Sequence, residues 1–278
     1  MIEPTFKGWT RPGPVPPGAC ERVEVEPVVT LDYICGHFRI FQLRDGHRFS
    51  TDDVLTAWYG TTWCPTASRV LDLGSGIGSV ATIAAWRLPG ARLVTVEAQE
   101  ISVALARRSM RFNGLEDRCD VRCGDFRDPA VLAGEPPFDL VLGSPPYFPV
   151  GAGVPGDHPQ KVACRFELRG DIGDYARVAA AHLAPGGVFA CVFPRPDGQR
   201  ERLLAAAAGA GLTIVRERPV VFREGNEPLI SLYAMTRAAD LPPDLREAWV
   251  EPPLVIRCRD GRVHPEYRAV KLAIGLPP

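Results

Sequence analysis

From residue 69 onward, short apolar runs alternate with longer helical stretches, and this rhythm restricts the possible fold more than any other feature of the chain. The runs at 69–73, 91–96, 119–123, 138–142, 187–193, 213–221 and 229–236 read as strands. The stretches at 78–88, 100–112, 171–183 and 197–209 read as helices. Strands separated by helical crossovers run parallel, and continuous apolar strands need cover on both faces. The expected architecture is α/β, a mainly parallel sheet with helices on both faces, and no solenoid repeat is visible.

The flanks have a different texture. Leu31 to Leu43 reads as two short strands hinged at Gly36, followed by an Asp45-Gly46 turn. Ser50 or Thr51 then supplies the N-cap of a helix carrying Val54, Leu55 and Trp58. Residues 1–30 are rich in proline and lack the charged and apolar regions of a signal peptide, so they are expected to form a mobile or draped tail. Near the other end, "PPLVIRCRDGRVHPEYRAVKLA" reads as a hairpin about Asp260-Gly261 and a short helix.

Charge and cysteine usage exclude several classes. With 32 basic and 33 acidic residues the net charge is −1, so no global field draws the chain to nucleic acid or membrane, and any such contact must be a local patch. One candidate is residues 255–271, where Arg257, Arg259, Arg262, Arg268 and Lys271 face only Asp260 and Glu266. That segment reads equally as a solvated hairpin or as a phosphate contact. Eight scattered cysteines without a C-x-x-C pair imply reduced thiols and a cytoplasmic protein. The longest run of small apolar residues, Leu203 to Val215, is broken by Gly209 and Gly211 and is too short for a membrane span. No metal site is expected: the five histidines share no ligand spacing and read as surface or capping residues, and Cys119 and Cys123 fall on one face of a strand.

Three successive strands end in residues suited to a ligand. "VLDLGSGIG", residues 70–78, turns out of the first strand through Gly74, Gly76 and Gly78, which let the backbone approach a ligand closely. The dinucleotide fingerprint would need glycine at position 79, where Ser79 stands, so a nicotinamide or flavin site is disfavoured. The second strand ends at Glu97, placed to accept both hydroxyls of a ribose. The third ends at Asp125. After the fourth comes "LGSPPYFP", whose paired prolines hold the chain rigid as it leaves the sheet. The glycine- and proline-rich segment 148–166 that follows reads as a lid on the acceptor side.

On these motifs the chain resembles the S-adenosylmethionine-dependent methyltransferases, which implies a Rossmann-like, seven-stranded sheet across roughly residues 31–275. "LDYICGHFRIFQLRDGHRFSTDDVL", "ARRSMRFNGL", "SPPYF", "RFELRGDIGDYARVAAAHLAPGG" and "PPLVIRCRDGRVHPEYRAV" narrow the resemblance to the bacterial tRNA(Val) adenine-N6 methyltransferase family. The resemblance implies an N-methyltransferase that uses S-adenosyl-L-methionine. Asp72 and the loop Gly74, Ser75, Gly76 and Gly78 would hold the methionine end, Glu97 the ribose, and Asp125 with Phe126 the adenine, with Ala98 a further contact. Phe49 to Asp52 would close over the cofactor through Asp52. The implied organisation is a tail at 1–30, an extension at 31–65 over the cofactor site, a methyltransferase domain at 66–240 and an appendage at 241–278.

In such enzymes the turn after the fourth strand reads Asn-Pro-Pro-Tyr. The lone pair of an exocyclic amine is delocalised into its ring. A side-chain oxygen and the first proline's carbonyl accept its two N–H bonds and aim the lone pair at the methyl group, while the tyrosine ring stacks on the base. Ser144, Pro145, Pro146 and Tyr147 occupy these positions here, with Ser144 in place of asparagine. A hydroxyl still accepts a hydrogen bond, and Ser-Pro-Pro-Tyr also resembles the motif of cytosine-N4 DNA methyltransferases. Amine methylation on tRNA is the leading expectation, for a monomer free of membrane. A protein glutamine or small-molecule acceptor, or a catalytically silent binding module, are the alternatives.

Overall fold

Val70, Leu71 and Leu73 are all fully buried, Val70 in the apolar cluster on one side of the sheet and the two leucines in the cluster on the other. A strand covered on both faces belongs to the interior of a layered sheet, and this one lies third from one edge. The computed structural model describes residues 5–20, 23–152 and 158–278. It begins with a ribbon, β1 (Thr5–Phe6) and β2 (Trp9–Thr10), a hairpin, β3 (Val29–Cys35) and β4 (Phe38–Leu43), and helix α1 (Thr51–Trp63). Then follow β5 (Arg69–Leu73), α2 (Ser79–Arg87), β6 (Arg92–Glu97), α3 (Glu100–Phe112), β7 (Cys119–Cys123), β8 (Phe138–Gly143), α4 (Pro159–Arg165) and α5 (Ile172–His182). The chain continues through β9 (Leu183–Pro194), α6 (Gln199–Gly209), β10 (Leu212–Val221), β11 (Ile230–Arg237), β12 (Trp249–Val250), β13 (Leu254–Val255) and α7 (Pro265–Ala273).

The sheet runs β12-β10-β11-β9-β8-β5-β6-β7, with β13 joining β12 along β10. Strands β5 to β9 are parallel to one another, and β11 lies antiparallel between β9 and β10, so β10 regains the common direction. This is the Rossmann-like sheet the resemblance implies, seven main strands plus two short ones. The chain moves outward from β5 to β6 and β7, then returns to the other side of β5 for β8. That reversal opens a crevice at the carboxyl edge between the β5 and β8 loops, where open α/β sheets bind ligands. Helices α1, α2 and α3 with the β3-β4 hairpin pack one face of the sheet, and α5 and α6 pack the other.

Three details depart from the expected elements. Strand β9 starts at Leu183 rather than 187, because Leu183 pairs with Phe138 before a register shift brings Val188 beside Leu140. Segment 148–166 contains helix α4, capped by His158, while residues 153–157 lie outside the described residues. The appendage adds β12 and β13 to the sheet edge as well as its turn, in which Gly261 takes φ +86. The proline-rich arm is draped: the Arg11 guanidinium lies 3.5 Å from the Tyr33 ring centre, and a Cβ on Gly13 would fall 2.5 Å from Trp86 Nε1.

Candidate active site

The loop after β5 takes a backbone path that side chains resist. Gly74, Gly76 and Gly78 have φ of +62, +54 and +82, in the left-handed region where residues with a Cβ are strained. At Gly74 space is also missing, since a Cβ would fall 2.0 Å from the Tyr175 hydroxyl. The loop is pinned by Ser75 N–H donating to the Val96 carbonyl at 3.0 Å and Gly76 N–H donating to Glu97 Oε2 at 2.9 Å. Glu97 Oε1 accepts from Gln99 N–H at 2.6 Å, so this buried carboxylate at the end of β6 is fixed by backbone donors from both neighbouring loops. Each oxygen retains lone-pair capacity for a hydroxyl.

Beneath the loop, Asp72 is 1% exposed and its Oδ2 has no hydrogen-bond partner among the described residues. Burial, then repulsion from Asp53, pushes its carboxyl well above the usual range. Ser75 Oγ is likewise buried and unpartnered. Polar atoms are rarely buried unmatched, so this corner is built for a polar ligand group. Asp53 is the third residue of α1 and closes a capping box, accepting from Ser50 N–H at 2.8 Å. Burial raises its pKa to about 6.

The turn after β8 faces the same cavity. The Tyr147 hydroxyl donates to Asp52 Oδ2 at 2.6 Å, its ring meets Phe193 edge-on at 6.0 Å, and its carbonyl accepts from Gln199 Nε2 at 3.2 Å. Three separate elements therefore fix this residue. Ser144 is half-buried and its hydroxyl makes no hydrogen bond to a described residue, which leaves it free to accept one from a ligand. Asp52 is where the N-terminal extension meets the turn after β8. Burial raises its carboxyl pKa, with the Tyr147 bond opposing.

These groups line one cavity of about 410 Å³ at the carboxyl edge. Of the residues singled out from sequence, Asp52, Asp72, Gly74, Ser75, Gly76, Glu97, Ala98, Asp125, Phe126 and Ser144 to Tyr147 all line it. Gly78 does not: it is the N-cap residue of α2, and a Cβ there would meet Met110 and Ala106, so its role is helix packing. Asp125 stands at the rim, its pKa lowered by the Arg127 guanidinium bound to it, and Phe126 lies edge-on to Tyr175 at 4.6 Å. Sequence reasoning missed His47, Asp53, Cys164, Arg169 and Tyr175, which also line the cavity. Only Asp53 had a local signal, the Ser50-x-x-Asp53 capping box. His47, read as a surface or capping residue, is half-buried here, and desolvation lowers its pKa.

The cavity suits S-adenosylmethionine. The orphaned Asp72 and Ser75 atoms match an ammonium-bearing amino-acid end, the Glu97 carboxylate matches a diol, and Asp52, Asp53, Asp72 and Glu97 together favour a cationic ligand. Among the described residues no group of histidine, cysteine and acidic side chains could hold a metal ion, and no helix is long and apolar enough to cross a membrane.

Fold and site define an S-adenosylmethionine-dependent methyltransferase, and residues 58–163 match the family model described as the methyltransferase small domain. The fold is shared with a predicted O-methyltransferase from Agrobacterium tumefaciens, at TM-score 0.59 and 20% identity over 81% of this chain and 98% of that one. A tRNA1(Val) (adenine(37)-N6)-methyltransferase from Porphyromonas gingivalis strain W83 is 31% identical over 83% of this chain and 89% of its own length. The chain belongs to that family. A release factor glutamine methyltransferase from Gloeobacter violaceus is 28% identical over 70% of this chain and 68% of its own.

Proposed function

We propose that the chain methylates the exocyclic amine of an adenine in tRNA, and that Ser144, Pro145 and Tyr147 hold that amine. One observation carries this reading: the Ser-Pro-Pro-Tyr turn faces the same cavity as the Asp72 and Glu97 pocket, with Tyr147 clamped to Asp52 at 2.6 Å. S-adenosylmethionine, when bound, supplies an electrophilic methyl group. The chain must then present a nitrogen whose lone pair is available. Ser144 Oγ and the Pro145 carbonyl accept its two N–H groups, drawing the nitrogen out of conjugation by position and electrostatics rather than by a strong base. The Tyr147 ring, held at its hydroxyl, offers a stacking face for the base, worth roughly 1 to 3 kcal/mol.

The family name makes tRNA1(Val) with an unmodified adenine 37 the first acceptor to test. Labelled cofactor, incubated with that transcript, with total protein and with DNA, should label the transcript alone. Label in protein, at a glutamine amide, would support the reading suggested by the glutamine methyltransferase relative instead.

A further inference from the structure

Outside the active site, many basic side chains are held by carboxylates, and others, such as Arg87, Arg107 and Arg118, by backbone carbonyls. Thirteen arginines, among them Arg69, Arg122 and Arg202, sit in ion pairs with carboxylates. One region differs. Arg223, Arg257, Arg259, Arg268 and Lys271 form no ion pair with any described residue. Arg223 and Arg257 donate only to the carbonyls of Arg259 and Gly261.

Three of these cations, Arg223, Arg257 and Lys271, line a second cavity of about 530 Å³ together with Asn226, Tyr267 and Thr51. Burial, then repulsion by Arg257 and Arg268, lowers the Lys271 pKa, so the cations repel one another with no anion between them. Such an arrangement costs free energy in a protein of net charge −1. A polyanion would relieve it.

The location selects the polyanion. The groove opens just beyond the carboxyl end of β10, which points the same way as β8, so it lies on the sheet edge that carries the Ser144 turn. Two strands separate β10 from β8, which puts the groove about 14 Å along the edge at ordinary strand spacing. Both cavities use the first turn of α1: Thr51 lines the groove beside Tyr267, while Asp52 lines the catalytic cavity and holds Tyr147.

We infer that this groove, built by the β10-β11 connection, the C-terminal turn and α7, binds the phosphodiester backbone of the acceptor RNA a few nucleotides from the methylated base. The inference rests on the RNA reading of the catalytic site. Phosphate contacts of this kind set position rather than sequence, and they make affinity fall with salt.

The test uses the full chain and an unmodified tRNA1(Val) transcript, with binding measured by fluorescence anisotropy across a salt series. Arg257→Gln with Lys271→Gln should weaken binding about tenfold or more and lower the slope of log affinity against log salt by about 2. Calorimetric affinity for S-adenosylmethionine should be unchanged, which also shows that the variant is folded. Arg92→Gln, at the opposite edge of the sheet where β6 begins, should leave slope and affinity as they were. Wild-type slope and affinity in the double variant, with the transcript still methylated, would overturn the groove and spare the function. No binding or methylation of RNA by the wild type would overturn both.

Discussion

The Tyr147 to Asp52 hydrogen bond can be removed while the ring is kept, by Tyr147→Phe. A bond to a charged acceptor contributes about 1.5 to 3 kcal/mol, and its loss leaves Asp52 half-buried without its donor. A stability loss of about 1 to 2 kcal/mol is expected at about pH 7.5, allowing for water reaching the vacated carboxylate. In a chain of 278 residues that lowers Tm by about 2 to 8 °C. The loss should depend on pH with a definite sign. Burial already raises the Asp52 pKa, so the native state holds a proton there that the unfolded state has shed, and stability falls as pH rises through that window. Removing the donor that favours the carboxylate raises this pKa further. The wild-type advantage should therefore be present at about pH 7.5 and smaller at about pH 4, because the carboxylate that favours the Tyr147 donor is progressively neutralised as pH falls through its raised pKa. Urea melts at the two pH values measure it. With the ring retained, KM for RNA should stay within about threefold while kcat falls about three- to tenfold, because an untethered ring aims the acceptor less well. Equal stability of the two proteins at both pH values, with unaltered kcat, would refute the clamp.

Glu97→Ala should weaken S-adenosylmethionine binding by about 1 to 3 kcal/mol in calorimetry, since it removes acceptors for the ribose and releases the Gly76 and Gln99 amides; unchanged affinity would remove Glu97 from the site. Cofactor affinity should rise as pH increases from about 5 to 7.5, because Asp53, with its pKa near 6, ionises across that range beside the other acids of the cavity and favours a cationic ligand. Flat affinity across that range argues against their electrostatic role. Gly74→Ala should abolish cofactor binding or folding, given φ +62 and the Tyr175 hydroxyl 2.0 Å from the new Cβ, and near-native binding would show that the loop can move. Ser144→Ala should cut kcat about ten- to a hundredfold on tRNA with cofactor affinity intact; a wild-type rate would exclude the hydroxyl as an acceptor of the amine.

What could be read from sequence follows from how locally each feature is encoded. Strands β5 and β7 emerged with their observed ends, β5 because burial on both faces writes a nearly continuous apolar run and β7 because buried Cys119 and Val121 alternate with polar residues, and the 74–78 loop because left-handed turns select glycine. Helix α4 was hidden among prolines and glycines, and β12 and β13, two residues each, are too short to carry a period. The site was legible to the same extent. Residues at strand ends could be placed together because a parallel sheet brings those ends to one edge. Tyr175 and His47 reach the cavity from a helix face and a connecting bend, and no spacing announces them. The clamp is the clearest instance: Asp52 and Tyr147 were each singled out for the ligand on its own side, but 95 positions separate them. Only the fold shows that they hold each other. That bond ties the N-terminal extension to the turn after β8, so on the proposed reading Asp52 joins the cofactor side to the aromatic face of the acceptor side. A substitution in α1 should therefore alter acceptor turnover even when no atom of α1 touches the acceptor.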